Sequence, residues 1–73
     1  MHVRYTDKGS AWQVDLEGRR IGWVRMEAGS WEYNGHLGSI NLTGNWAGPY
    51  ASRALATAEL IYRVTGYKVS ACA

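Results

Sequence analysis

Few side chains in this sequence could do chemistry. His2 and His36 are the two groups that titrate near neutrality, and Cys72 is the single thiol, so no disulfide can close within the chain. A catalytic site needs convergence: a nucleophile with its base, two carboxylates facing one bond, or metal ligands at a workable spacing. His2 is near the start, Cys72 stands one residue from the last, and His36 follows Asn34-Gly35 with no cysteine or acidic cluster beside it. No C-x-x-C or H-x-x-x-H spacing occurs, and the nine glycines complete neither phosphate-cradling motif. The residues predict a non-enzymatic protein with no metal and no cofactor.

The groups that remain are those that make contacts. Four tryptophans and five tyrosines, with no phenylalanine, supply the large side chains, and each brings a polar atom that needs a partner when buried. Trp23 stands out. It lies between Ile21 and Arg25 and close to Arg19 and Arg20. Tryptophan and arginine are the types most enriched at energetic hot spots of protein interfaces. Trp23, Arg25, Ile21, Arg19 and Arg20 therefore form a candidate partner patch, provided that Trp23 faces away from the core. A shifted strand register would bury it instead, and the N-terminal strand or the chain end could also cover it.

Net charge separates the partners such a patch could serve. Residues 1–35 carry five basic and five acidic side chains; residues 36–73 carry Arg53, Arg63 and Lys68 against Glu59 alone, which accounts for the whole excess of +2. Arg19, Arg20 and Arg25 are opposed by Asp15, Glu17 and Glu32. A neutral sheet releases few counterions from a nucleic acid, and that release drives non-specific affinity. A protein partner is the first expectation and nucleic acid the second. No start resembling a signal peptide and no long apolar run is seen, so a soluble cytoplasmic protein away from membranes is expected, and the acceptor pattern Asn41-Leu42-Thr43 is read as unused.

The elements that position these groups follow from periodicity. Seventy-three residues make one small domain, 1–73, near the lower limit for a self-sufficient core. His2 to Thr6 reads as an edge strand, and Ala11 to Glu17 alternates strictly, with Trp12, Val14 and Leu16 on one side. Glu17-Gly18-Arg19-Arg20 turns the chain and Ile21 to Glu27 returns it. A two-residue turn led by Gly18 would set Ile21 and Trp23 beside Val14 and Leu16. A three-residue loop would align Val24 with Val14 and Met26 with Trp12. Beyond Ala28-Gly29, Trp31 should meet Met26, Glu32 should meet Arg25, and Tyr33 should meet Val24. Burial of each large apolar side chain is worth about 1.5–3 kcal/mol, more than any turn preference, so the second register is expected, with Ile21 and Trp23 on the outer face.

Asn34-Gly35 signals a turn, a further strand is expected within 36–43, and Trp46 is expected over the helix start. The helix is placed at about 49–65, with Pro49 at its first position and Gly66 just past its end. Ala54, Ala58, Ile61 and Thr65 define its apolar side, and Glu59 and Arg63 form a pair one turn apart. Counting alanine, the apolar arc spans about 240°, well over the 100° that one small sheet needs. Alanine explains the excess, or else Leu60 and Val64 on the other flank mark a self-association surface, leaving monomer and homodimer both open. Tyr67 should pack towards Tyr62, and Tyr67 to Ala71 could add a terminal strand. The expected fold is α+β: an antiparallel meander of three to five strands, over about 2–43, with one C-terminal helix across its apolar face.

Three strands followed by a helix, with Trp23 and Arg25 on the open sheet face, resembles in element order the plant AP2-type and transposon integrase N-terminal domains, which implies DNA binding through that face. Small cofactor-free α+β proteins of this composition are also typical of phage and mobile-element accessory genes, including inhibitors of host defence complexes, an analogy of type rather than motif. The sequence reading is thus a protein-binding module of that kind, with a DNA-binding domain as its alternative.

Overall fold

A computed structural model describes residues 2–35 and 46–68. Five antiparallel strands, β1 (Val3–Asp7), β2 (Trp12–Leu16), β3 (Arg19–Glu27), β4 (Ser30–Gly35) and β5 (Ala47–Tyr50), form one sheet in the order of the chain, and α1 (Arg53–Thr65) packs on one face of it. The fold is the two-layer α+β arrangement expected. The strands expected within 36–43 and at 69–71 lie outside the described residues; Tyr67 and Lys68 are not strand, and Tyr67 is exposed.

The two central hairpins show how pattern and turn chemistry were reconciled. Glu17 and Gly18 both have positive φ, as do Ala28 and Gly29, so each hairpin closes through two residues in the twist-matched turn geometry. At the second hairpin the pairing is as expected: Met26 opposite Trp31, Arg25 opposite Glu32, Val24 opposite Tyr33. At the first, neither anticipated register holds. Leu16 pairs with Arg19 and Asp15 with Arg20, but Val14 pairs with Gly22, and Val24 stands opposite Trp12. Ile21 is the additional residue of a β-bulge. The bulge lets a two-residue turn coexist with the hydrophobic pattern, because it returns Val24 to the face of Val14 and Trp12.

That bulge also corrects the position of Ile21. It is 6% exposed and belongs to the core with Val14, Val24, Tyr33, Ala56, Leu60 and Ile61. Gly22 beside it has no room for a side chain, because the β4 backbone and the helix close in on it: a Cβ there would collide with the Asn34 carbonyl oxygen and stand 3.0 Å from both Gly35 Cα and Leu60 Cδ1. Asn34 and Gly35 do not turn the chain; they pair with Trp23 and Gly22 as the end of β4.

The helix begins later and faces differently than its composition implied. Pro49 lies in β5, an edge strand where a missing N–H is tolerated. The cap is Ser52, whose Oγ accepts from Leu55 N at 3.2 Å. Gly66 ends the helix in the left-handed conformation, its N–H donating to the Tyr62 carbonyl at 2.8 Å. The buried face carries Ala56, Thr57, Leu60 and Ile61, with Val64 packed beside them, while Ala54 and Thr65 are exposed. Bulk chose this face: Leu60 fills the space over Gly22 and Ile61 is buried with it in the core, which alanine could not do. Leu60 is fully buried and so offers no surface for self-association.

Candidate functional site: the two faces of the sheet

Alternation along the strands sorts the side chains between a helix side and an open side. Register places Arg4, Asp15 and Arg20 in one row of the open face, Thr6, Gln13, Trp23 and Asn34 in the next, and Arg25 and Glu32 in a third. Of the five patch residues expected from the sequence, the structure therefore brings together Trp23, Arg25 and Arg20. Arg19 pairs with Leu16 in a helix-side row, and Ile21 is core. Val64 is half-buried against the core.

Trp23 faces away from the helix and yet is only 9% exposed. Arg20 contributes to this cover, its guanidinium 5.2 Å from the ring centroid. A second stack stands alongside: the Arg25 guanidinium lies 4.1 Å from the centroid of Trp46, which thus joins the open face rather than the helix start. Arg25 Nε also donates to Glu32 Oε1 at 2.9 Å, in a pair with side chains 30% and 24% exposed. Trp23, Arg25 and Trp46, with Lys8, Ser10 and Ala11 from the β1–β2 connection, line a groove of about 310 Å³. The charges of the face are partly used within it, since Gln13 Nε2 donates to Asp15 Oδ1 at 3.1 Å and Glu32 holds Arg25.

The helix side carries an aromatic corner that the sequence reading missed. Tyr5, Trp12 and Trp31 meet edge to face, with centroids 6.1 Å and 6.4 Å apart. Arg53 sets its guanidinium 4.1 Å from the Tyr5 ring and 4.2 Å from that of Trp12. Tyr5 Oη and Thr57 Oγ1 are 2.7 Å apart in a hydrogen bond. One signal was available: an arginine in the first turn opposes the helix dipole, so it serves some other contact. Met26, opposite Trp31, is 58% exposed.

A shallower groove of about 480 Å³ runs along the helix, between Tyr50 of β5 and Leu55, Ala58, Glu59, Tyr62, Arg63 and Lys68. Glu59 Oε2 and Arg63 Nε stand 3.4 Å apart as the expected pair, and the Lys68 ammonium lies 5.7 Å from the Tyr62 ring centroid. Burial, then the neighbouring Tyr33 and Glu59, push the Tyr50 hydroxyl above the usual phenol range, with Arg63 pulling the other way.

His2 stands just before β1, its N–H donating to Glu17 Oε1 at 2.8 Å and its carbonyl accepting from Glu17 N at 2.9 Å. His36 and Cys72 lie outside the described residues. Among the described residues no three metal-ligating side chains gather, and no helix is long and apolar enough to cross a membrane. Compared with protein families, curated proteins and solved structures, the chain matches none.

Proposed function

We propose that this chain is a non-catalytic protein-binding module that engages its partner through the open face of the sheet, around Trp23, Arg25 and Trp46. The observation that carries this reading is the pair of arginine–tryptophan stacks flanking one groove. Stacking holds each guanidinium in place before a partner arrives, which lowers the side-chain entropy lost on binding. The groove walls are therefore preorganised, as interface anchors are. Action as a phage or mobile-element accessory protein that occupies a host complex is the biological form this reading takes, by analogy of size and type.

Duplex DNA on the same face is the weaker alternative. Arg25 is paired with Glu32, and Asp15 stands in one row with Arg4 and Arg20, so the face holds little unopposed positive charge for phosphates. Single strands need open ring faces for bases to stack upon, whereas a guanidinium lies over each indole and Trp23 is largely buried.

The test is chemical cross-linking and capture from host extract with the wild-type chain and with Trp46→Ala, checked beside retention on duplex DNA over a salt series. A protein captured by the wild type and lost with Trp46→Ala, at an unchanged unfolding midpoint, supports the module. Tight duplex retention that falls steeply with salt replaces it with the DNA reading.

A further inference from the structure

Two cations border the open-face groove with donors to spare. Arg25 has five N–H donors, of which the one on Nε goes to Glu32. Among the described residues neither its Nη nitrogens nor Lys8 Nζ has a hydrogen-bond or ion-pair partner. Both side chains line the same groove, whose remaining walls are the indoles of Trp23 and Trp46 and the small residues Ser10 and Ala11. The one acid that meets Arg25 approaches through Nε and leaves the other edge of its guanidinium plane open to a second acceptor. The groove therefore combines local positive charge with apolar walls, in a volume that suits one or two side chains rather than a long polyanion.

Resting on the protein-binding reading, we propose that the groove takes an acidic peptide segment of the partner. One aspartate or glutamate carboxylate sits between Lys8 and Arg25, and an adjoining apolar side chain lies against Trp23 and Ala11. Arginine-based capture of acidic motifs is a recurring mode of peptide recognition. Charge complementarity selects this occupant: a basic segment would meet Lys8 and the guanidinium of Arg25, whose pair with Glu32 uses Nε alone, and a neutral one would leave their remaining donors unsatisfied on desolvation.

The experiment is a titration of the ¹⁵N-labelled chain, followed at the tryptophan indole N–H signals, each assigned by a single Trp→Phe variant. The probes are a short peptide with paired glutamates flanked by leucines, its glutamine isostere, and a duplex oligonucleotide. The glutamate peptide is expected to shift the Trp23 and Trp46 signals saturably, and the isostere to bind at least about tenfold more weakly, as loss of a charge-assisted bond implies. Lys8→Glu should lower affinity by a similar factor, and Lys8→Ala, a milder change at an exposed turn, by less. Arg25→Lys keeps the charge but loses the planar fork, so it too should weaken the glutamate peptide. Equal binding of the isostere, shifts confined to Trp12 and Trp31, absence of any shift, or displacement of the peptide by the duplex would each overturn the proposal. Partner capture that survives Lys8→Glu but not Trp46→Ala would overturn the acidic segment while leaving the protein-binding module intact.

Discussion

The two faces of the sheet contradict a simple picture of layers. The face covered by the helix keeps Trp12, Trp31 and Tyr5 half-exposed, while the face without a helix buries Trp23 to 9%. The reason is geometrical. The helix packs chiefly over β3, β4 and β5, so Val14 of β2 is sealed in the core while Tyr5 and Trp12, nearer the β1 edge, meet the helix through Thr57 and Arg53. On the open face, Trp23 occupies a central strand and is flanked on its own surface by Arg20 and Asn34. Depth within the sheet, not the presence of a second layer, decides its exposure. The helix side therefore holds the core, and on the open side long polar side chains cover Trp23.

Substitutions can break or sharpen that contrast. Leu60→Ala should have the largest effect, a loss of about 2–5 kcal/mol by chemical denaturation, because it empties the space above Gly22 in a fully buried site. Trp23→Ala should cost less than Leu60→Ala although it deletes a larger side chain, since the space it leaves borders the open-face groove rather than a sealed core. Should Trp23→Ala prove the costlier of the two, the open face is a second core and the contrast fails. Gly22→Ala should destabilise by about 1–3 kcal/mol, as its methyl has neither room at the Asn34 carbonyl nor slack at Leu60.

Smaller effects refine the picture. Ser52→Ala removes the helix cap and should lower stability by about 1 kcal/mol. Glu32→Gln loosens a half-exposed ion pair and should change stability by under about 1 kcal/mol, while altering peptide affinity at the neighbouring groove. Tyr50 supplies a pH signature for the helix side. Its hydroxyl ionises less readily folded than unfolded, so the folded state binds more protons between the ordinary phenol value and the raised one. The stability linked to Tyr50 is intact below the ordinary phenol range and declines as pH rises into and through the raised value. Alkaline unfolding of Tyr50→Phe should be shifted to higher pH, and an identical alkaline profile would show that Tyr50 is not the group responsible.

Much of the fold was legible before any coordinates. Strict alternation from Trp12 to Leu16, the pairing of Trp31, Glu32 and Tyr33 with Met26, Arg25 and Val24, the orientation of Trp23, and the glycine stop at Gly66 all follow from local pattern. These features depend on residues near one another in the chain, where periodicity and backbone preference act directly.

Other features were set by contacts between distant residues. The bulge that sends Ile21 inward, the choice of Leu60 over Ala54 and Ala58 for the buried helix face, the removal of Pro49 from the helix into β5, and the meeting of Arg53 with Tyr5 and Trp12 answer to space left by other elements. So does the groove, which joins Lys8 to Arg25 and Trp46. The amino-acid pattern by itself determined which side of β2 and of β4 is apolar. Only tertiary structure decided which apolar surfaces the single helix could cover, because one helix is narrower than five strands and fits where Gly22 leaves it room.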